Sequence, residues 1–287
     1  MATLEEFAPA KINLTLRVLG RRADGYHELE SLVAFARDVG DVVRLTPGAV
    51  SSFSTAGPTA AAIDGDNLAE RVLRMVAEAA PTARLGALTL EKHLPVASGV
   101  GGGSADAGAA LRLMRRANPE LEIDWLGIAR RLGADVPVCF QNEAAIMTGV
   151  GEIIDPVRLP GALPIVMVNP NARVPADKTR RVFTALAAPS FVATARPIIP
   201  RFDDLSAVVG YAEARSNDLA PAAMSVIPEI ADVLAALRAT SGCALARLSG
   251  AGPTCFGVFE SKADAIAAAA LLAQRAPRWW VRSAALS

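Results

Sequence analysis

Residues 99–104 have the composition of a loop that binds anions. They read Gly-Val-Gly-Gly-Gly-Ser, and an alanine-rich stretch of helical character follows directly. Glycines permit sharp backbone turns, and the first N–H groups of a helix lack partners within the helix, so phosphate can bind them. We therefore expect Gly99, Gly101, Gly102, Gly103 and Ser104 to bind phosphate. A turn that merely joins a strand to a helix is the alternative.

Polyphosphate binding needs more than the helix dipole, which contributes only about 0.3 to 2 kcal/mol. The Ser104 hydroxyl is therefore a candidate ligand for a metal ion or a phosphate oxygen. Two familiar phosphate motifs do not match, because no Gly-Lys-Ser/Thr ends the loop and Pro95 interrupts the strand that a dinucleotide fingerprint requires. Glu120 and Glu122, the acidic residues about 20 positions downstream where the fingerprint requires one, fall near a helix end. A nicotinamide oxidoreductase is therefore disfavoured.

Two polar residues share one face of a predicted strand. Over residues 10–19 apolar and polar side chains alternate, which is the period of a half-buried strand with Ile12 and its apolar alternates in the core. Lys11 and Asn13 then lie on the opposite face, about 7 Å apart. That separation suits two contacts to one ligand group.

The elements around these residues predict an α+β fold with helices over an antiparallel sheet. Asp66 or Asn67 is expected to cap a helix with an apolar stripe. Residues 144–157 are expected to be extended, 169–183 to form a loop, and 218–240 to form one long helix. Further strands are expected at 42–45, 51–54, 88–94, 165–168, 244–248, 255–259 and 279–285, and further helices at 124–132 and 263–274.

The composition indicates a globular protein without electrostatic bias. Twenty-nine basic residues balance 29 acidic ones, so no long-range field attracts nucleic acid or an anionic membrane. No apolar run approaches the roughly 20 residues of a membrane span, and no signal pattern opens the chain. Cys139, Cys243 and Cys255 lack metal-ligand spacing, which indicates buried thiols in a reducing compartment. We expect a cytoplasmic protein, either a monomer or a weak homodimer.

Five motifs, taken in order, resemble those of one enzyme superfamily. They are PAKINL at residues 9–14, DGYHELES at 24–31, GVGGGSADA at 99–107, LGADVPVCF at 132–140 and LSGAGPTCFGVF at 248–259. Together they resemble the GHMP kinases, the superfamily of galactokinase, homoserine kinase, mevalonate kinase and phosphomevalonate kinase. DGYHELES and LGADVP single out the branch that acts on a cytidine-diphosphate-linked methylerythritol. Ala97, Ser98, Val100 and Ala105 depart from the usual residues of the family.

The resemblance implies both a fold and a reaction. It implies a two-domain α+β GHMP kinase fold, with an N-terminal ATP-binding domain at residues 1–160 that contains a left-handed βαβ crossover, and a ferredoxin-like C-terminal domain at 161–287. It implies that ATP, with Mg²⁺, phosphorylates the 2-hydroxyl of the small-molecule substrate on the non-mevalonate route to isoprenoids. A superfamily kinase for another small alcohol and a non-catalytic nucleotide-binding module are the alternatives.

The catalytic residues come from the same resemblance. It places Asp135 as the base that accepts the proton of the acceptor hydroxyl, an effect usually worth about 10² to 10⁴ in rate. It places Lys11 as the lysine that keeps Asp135 charged and stabilises the nucleophile. Without the resemblance, Asp135 is a helix cap and Lys11 an exposed strand residue.

Substrate and nucleotide contacts are implied in the same way. Asn13 would orient the substrate, and Tyr26, His27 and Phe183 would surround the cytosine. Their alternatives are a solvent-facing amide and ordinary packing. On the nucleotide side the resemblance implies four more residues, for which a helix cap, a surface charge and a hairpin turn are the alternatives: Asn67, Lys92, Gly250 and Gly252.

Overall fold

The computed structural model describes residues 2–63, 65–193 and 195–287. Contacts between Cα atoms divide the chain into two units that alternate along the sequence. Unit 1 contains the residues up to Lys11, Val39–Val96 and Gly101–Asn142, and unit 2 contains Ile12–Asp38, Ala97–Val100 and Glu143–Ser287. The domain boundary expected near residue 160 stays a prediction.

Strands and helices follow one another in short runs along the chain. The strands are β1 (Leu4–Asn13), β2 (Arg17–Arg21), β3 (His27–Thr46), β4 (Ser52–Ala56), β5 (Ala87–Glu91), β6 (Ala145–Gly149), β7 (Ile153–Pro156), β8 (Leu163–Asn169), β9 (Cys243–Leu248), β10 (Cys255–Phe259) and β11 (Trp280–Leu286). The helices are α1 (Leu68–Ala79), α2 (Gly102–Ala117), α3 (Trp125–Leu132), α4 (Val136–Gln141), α5 (Lys178–Leu186), α6 (Leu205–Arg215), α7 (Ala220–Val226), α8 (Glu229–Arg238) and α9 (Lys262–Arg275).

In unit 1, helix α1 connects two parallel strands. Strands β4 and β5 pair in parallel from Ser52 opposite Ala87 onward, and β5 also pairs antiparallel with the second half of β3. The helix begins where the Asn67 side chain accepts a hydrogen bond from the N–H of Ala69. Its buried face includes Val72 and Val76, so the predicted apolar stripe is confirmed. The handedness of this crossover stays a prediction.

Small residues let α2 pack closely within unit 1. Most of its first turns are alanine and glycine, and from Ala105 to Ala110 every residue is buried. A Cβ atom on Gly108 would lie 2.6 Å from the carbonyl carbon of Cys139 in α4, so only glycine fits at this crossing. Two helices can approach this closely only where no side chain separates their backbones.

Unit 2 is built on an antiparallel sheet covered by helices. Its strand order runs from the first half of β3 through β11, β8 and β10 to β9. Cys255 in β10 faces Val168 on one side and Leu248 on the other. Helices α8 and α9 contact these strands, and a continuous core of buried apolar side chains lies beneath them.

Several elements differ from those expected from the sequence. The strand predicted over residues 10–19 is divided between β1 and β2, and it is not half-buried, because Lys11, Asn13 and Thr15 are 2%, 5% and 0% exposed. Residues 144–157 form the pair β6 and β7, and β3 begins 15 residues earlier than predicted, at His27 instead of 42. Alternation fails as a signal where both strand faces are buried.

The remaining differences between predicted and observed elements concern the helices of unit 2. The predicted loop over 169–183 ends inside α5, and α6 was not predicted. The single helix expected over 218–240 is two helices, because Pro228 separates α7 from α8. The α+β class, α3, α9 and strands β8 to β11 are confirmed to within a few residues.

The buried core of unit 2 supports a direct test of stability. Ile230 on α8 is fully buried, whereas Ile266 on α9 is 50% exposed. We expect Ile230→Ala to lower the free energy of unfolding by about 2–5 kcal/mol, because it leaves a cavity. The matched change Ile266→Ala should stay within about 0.5 kcal/mol. Chemical denaturation measures both, and equal effects would contradict the described core.

Candidate active site

In unit 2, the three consecutive carbonyl groups of residues 97–99, just before α2, each accept a hydrogen bond from another part of the chain. The carbonyl of Ala97 accepts a bond from Lys178 Nζ at 3.0 Å, and that of Ser98 from the N–H of Thr254 at 2.9 Å. The carbonyl of Gly99 accepts from Ser249 Oγ at 2.9 Å. In a trans peptide the next N–H points opposite to the carbonyl. The N–H groups of residues 98–100 therefore point away from these three donors.

Glycine is required at residue 99 for two reasons. Its φ is +82°, a left-handed conformation that residues with a Cβ atom disfavour. A Cβ atom there would lie 2.6 Å from the carbonyl oxygen of Ser249 and 2.7 Å from that of Gly252. Gly250 and Gly252 also have positive φ, of +54° and +73°. The predicted glycine residues of the two motifs thus meet within unit 2.

In unit 1, the first turn of α2 presents N–H groups without backbone acceptors. Gly101 precedes the helix with a φ of +64° and no capping side chain. Within the described ranges, the N–H groups of Gly102, Gly103 and Ser104 donate to no protein group, and the first internal bond runs from Ala105 to the Gly101 carbonyl at 2.8 Å. Such a helix start can bind an anion.

Lys11 and Asp135 meet in unit 1. Lys11 Nζ donates to Asp135 Oδ1 at 2.8 Å, and the lysine side chain is 3% exposed while that of the aspartate is 42% exposed. Asp135 occupies the N-cap position of α4, but its side chain makes no capping bond. The alternative roles, a helix cap and an exposed strand lysine, are therefore wrong. A buried cation holds a carboxylate that remains open to solvent.

The same lysine packs against the turn that starts α2. A Cβ atom on Gly101 would lie 3.1 Å from both Cβ and Cε of Lys11. A larger residue at position 101 would therefore displace the lysine that binds Asp135. Unit 1 thus combines an anion-binding helix start, an ammonium group and an accessible carboxylate, which are the components that phosphoryl transfer needs.

Lys92 is not an exposed surface residue, which was the alternative to its implied contact with the nucleotide. It is buried, and its Nζ atom lies 2.5 Å from Asp41 Oδ2 and 2.6 Å from Asp106 Oδ2. Burial raises the pKa of Asp106 to about 8, despite the opposing effect of the Lys92 charge. A Cβ atom on Gly102 would lie 3.1 Å from Lys92 Nζ, so this ion-pair cluster supports the first turn of α2.

The cluster is anchored to the backbone through Asp41. Its Oδ1 atom accepts bonds from the N–H groups of His93 at 2.5 Å and Leu94 at 2.8 Å. Burial tends to lower the pKa of Lys92, but the charges of Asp106 and Asp41 outweigh it and raise that pKa. In the described part of the chain, Asp106 Oδ1 has no hydrogen-bond partner. Lys92 is therefore held as a cation between two carboxyl groups.

The expected cytosine-side residues lie partly together in unit 2. The ring of His27 lies 4.6 Å from that of Phe183, centre to centre, with the planes tilted by 31°. Burial and the nearby charge of Arg21 lower the pKa of His27, so its ring is neutral at pH 7. Tyr26 is 65% exposed, and its N–H donates to Asp24 at 3.1 Å. Tyr26 precedes His27 in the chain, and its exposed ring can stack on a base.

Asn13 is a buried residue instead of a solvent-facing one. Its Nδ2 atom donates to Ser31 Oγ at 2.8 Å, and its N–H donates to Ser249 Oγ at 3.2 Å. Because Ser249 Oγ also binds the Gly99 carbonyl, one hydroxyl links this strand to the glycine loop. Asn67 similarly uses its amide oxygen to cap α1, which confirms the capping prediction.

The first turn of α2 offers one hydroxyl oxygen of the kind that Mg²⁺ binds. No cluster of three or more histidine, cysteine, aspartate or glutamate side chains suited to a metal lies within the residues that the structure describes. Mg²⁺ usually keeps several waters and binds proteins through one or two oxygens together with substrate phosphates. The Ser104 hydroxyl, in the first turn of α2, fits that limited role.

Sequence reasoning missed four residues of these clusters. Ser249 lies within the quoted LSGAGP motif, so the motif itself was a signal for it. Asp106 likewise lies within the quoted GVGGGSADA motif. Asp41 and Lys178 carry no such signal, because their partners lie 51 and 74 residues away in sequence and only the fold brings them together.

Two family models match the chain. The model of the GHMP kinases N terminal domain matches residues 67–145, and the model of the GHMP kinases C terminal matches residues 204–276. The first contains α1, the glycine loop and Asp135. The chain therefore belongs to the GHMP kinases.

Relatives within this class share one name. A 4-diphosphocytidyl-2-C-methyl-D-erythritol kinase of Rhodopseudomonas palustris is 50% identical over 298 residues, which cover 99% of this chain and 98% of that protein. A second, from a Bradyrhizobium strain, is 46% identical over 306 residues, covering 100% and 97%. Both matches span all five motifs.

Solved structures agree with this assignment. A crystal structure of 4-(cytidine 5'-diphospho)-2C-methyl-D-erythritol kinase is 34% identical, with a TM-score of 0.76 and 99% of each chain covered. A homoserine kinase from Cytophaga hutchinsonii has a TM-score of 0.69 at 16% identity, with 100% of this chain and 95% of that chain covered, and shows the fold alone. The GHMP kinase fold expected from the motifs is confirmed.

The buried Asp41, Lys92 and Asp106 cluster leads to a stability prediction. Lys92→Met leaves two buried carboxyl groups without their cation, so we expect the free energy of unfolding to fall by about 3–5 kcal/mol. Lys262→Met, at an exposed lysine on α9, is the matched control and should change it by less than about 0.5 kcal/mol. Urea denaturation compares them, and a loss below about 1 kcal/mol for Lys92→Met would contradict the cluster.

Proposed function

We propose that the protein transfers the γ-phosphoryl group of ATP to the 2-hydroxyl of 4-diphosphocytidyl-2-C-methyl-D-erythritol. The products are ADP and the 2-phosphate, on the non-mevalonate route to isoprenoid precursors. Support comes from the family, from relatives of that name across the full chain, and from the site geometry.

The observation that carries the proposal is the Lys11 and Asp135 pair beside Gly101. The Asp135 carboxylate is open to solvent, so it can accept the proton of the acceptor hydroxyl. The buried ammonium of Lys11, 2.8 Å from that carboxylate, stabilises negative charge on the attacking oxygen. Because the acceptor is a hindered tertiary alcohol, a positioned base is of particular value.

In this proposal the first turn of α2 binds phosphate oxygens. The N–H groups of Gly102, Gly103 and Ser104 are oriented by the helix, and the helix dipole favours negative charge there. Mg²⁺, when bound with ATP, would neutralise phosphate charge, and the Ser104 hydroxyl would be its protein ligand. Asn67 and Lys92 would act on the nucleotide side, Asn67 as the cap of α1 and Lys92 from beneath the turn.

The cytidine group would bind near the aromatic residues of unit 2. Tyr26 would offer an exposed stacking face, and His27, neutral and packed on Phe183, would offer ring nitrogens to the base edge. Asn13 would position the substrate through its buried amide. In unit 2, Gly250 and Gly252 would support the glycine loop at Gly99.

Location and assembly remain part of the proposal. Within the described residues, no helix combines the length and apolarity that a membrane span requires. Cys139, Cys243 and Cys255 are free thiols, and Cys243 is only partly buried. We propose a cytoplasmic enzyme without nucleic-acid or membrane partners. We propose a monomer or weak homodimer, which sedimentation equilibrium would test.

Turnover with defined alcohols tests the substrate. ATP consumption is measured with 4-diphosphocytidyl-2-C-methyl-D-erythritol, with the same alcohol lacking the cytidine group, and with homoserine. Turnover with the cytidylylated alcohol alone is expected. Turnover with homoserine would show that the proposed substrate is wrong but that the protein is still a kinase. No turnover with any of the alcohols would favour a nucleotide-binding module.

Removing the charge of Asp135 tests the base. Asp135→Asn keeps the size of the side chain but cannot accept a proton, so we expect kcat to fall by about 10² to 10⁴. The Kd for ADP, measured by calorimetry, should change less than about threefold, because the phosphate-binding turn is intact. Asp232→Asn, at an exposed position on α8, is the control. Near-normal turnover of Asp135→Asn would remove Asp135 from this role.

Truncating Tyr26 tests the stacking face. We expect Tyr26→Ala to raise KM for the cytidylylated alcohol by about tenfold, since base stacking on an aromatic ring is worth about 1–3 kcal/mol. KM for ATP should not change. Tyr26→Phe keeps the ring, so its KM for the cytidylylated alcohol should stay close to that of the unchanged protein. An equal rise of this KM in both variants would show that the Tyr26 hydroxyl, and not the ring, contributes to binding.

A further inference from the structure

Lys178 is a buried lysine that the proposed chemistry does not use. It lies at the start of α5 and is 5% exposed. Its Nζ atom donates to the carbonyl of Ala97 at 3.0 Å and to the carbonyl of Gly252. Its ammonium group therefore bridges the segment before the glycine loop and the glycine turn after β9, all within unit 2.

Within the described part of unit 2, no carboxylate lies close enough to Lys178 to shift its pKa. Burial lowers its pKa to about 8, with no charged neighbour acting against that shift. A buried ammonium bound only by carbonyl oxygens is costly and needs a reason for its position.

Ala97 supplies that reason. Its φ is +54°, a left-handed conformation that is unfavourable for any residue with a Cβ atom. Ala97 is exposed, so packing of its side chain does not impose this conformation. The bond from Lys178 to the Ala97 carbonyl holds the peptide in place at the residue where the backbone is strained.

The position of Ala97 matters because the chain enters the glycine loop directly after it. Two residues later, Gly99 approaches the Gly252 carbonyl so closely that a Cβ atom would lie 2.7 Å from it. Lys178 binds that same Gly252 carbonyl. Relaxation of Ala97 to a negative φ would therefore rotate the peptides whose N–H groups lead into the phosphate-binding turn.

We propose that Lys178 is a positioning residue that stabilises the left-handed conformation of Ala97 and so holds the glycine loop ready for the phosphates of ATP. It touches neither the nucleotide nor the reacting atoms. The inference rests on the proposed phosphate-binding role of the loop.

A double-mutant cycle between the two residues tests the proposal. We expect Lys178→Met to raise KM for ATP and Kd for ADP by about tenfold while kcat falls less than about threefold, because chemistry at Asp135 is untouched. In the Ala97→Gly background, glycine adopts positive φ without the lysine. There the same lysine change should raise both constants less than about threefold.

Controls separate this role from general stabilisation. Lys178→Arg, which keeps the charge and the donors, should recover most of the affinity for ADP. Lys262→Met removes an exposed lysine and should leave both constants unchanged. If Lys178→Met does not fold, Lys178→Gln, which keeps a shorter donor, takes its place in the cycle.

The outcomes distinguish the two proposals. Equal losses from Lys178→Met in both backgrounds, or no loss in either, would overturn the role of Lys178 while leaving the kinase assignment intact. If the unchanged protein turned over no cytidylylated alcohol, the proposed function would fail. Calorimetry with ADP would still report on Lys178 and Ala97 in that case.

Discussion

The direction of three peptide groups is fixed where the chain enters the candidate site. We propose that the first turn of α2 binds phosphate through its N–H groups, and the residues that lead into it have their carbonyls bound within unit 2. Lys178, Thr254 and Ser249 each bind one of those carbonyls in unit 2. Gly99 can sit between them only because it lacks a Cβ atom. The glycine-rich sequence suggests a flexible loop, but hydrogen bonds fix three successive carbonyls at its start.

The two buried lysines near α2 have carboxylate partners that differ in exposure to solvent. Lys92 is neutralised by Asp41 and Asp106 and serves as support beneath the first turn. Lys11 is equally buried, but its partner Asp135 remains accessible. A carboxylate has to reach solvent or substrate in order to exchange a proton, whereas a supporting ion pair does not. Exposure, more than residue type, separates the two roles.

Local patterns in the sequence were enough to predict the class of fold and to identify β10 and α3. The roles of Lys11 and Asp135 were implied only by the family resemblance and stay a prediction, although the structure brings the two side chains together. Prediction from the sequence failed around Asn13, because the alternating pattern is present there but both faces of the strand are buried. It also failed where Pro228 interrupted a helical pattern. The contacts of Lys92 with Asp41 and of Lys178 with Gly252 join residues 51 and 74 positions apart, and a single sequence does not indicate such pairings.

The unused capping position of α4 has a consequence for how this enzyme can evolve. Asp135 stands where an aspartate ordinarily stabilises a helix by binding its first N–H groups, yet its side chain turns to Lys11 instead. The helix therefore forgoes a contribution of about 0.5–2 kcal/mol. Selection for thermal stability alone would favour residues that restore the cap. With Asp135 in its proposed role as base, that gain would cost activity, so a thermostable descendant would have to gain its stability elsewhere.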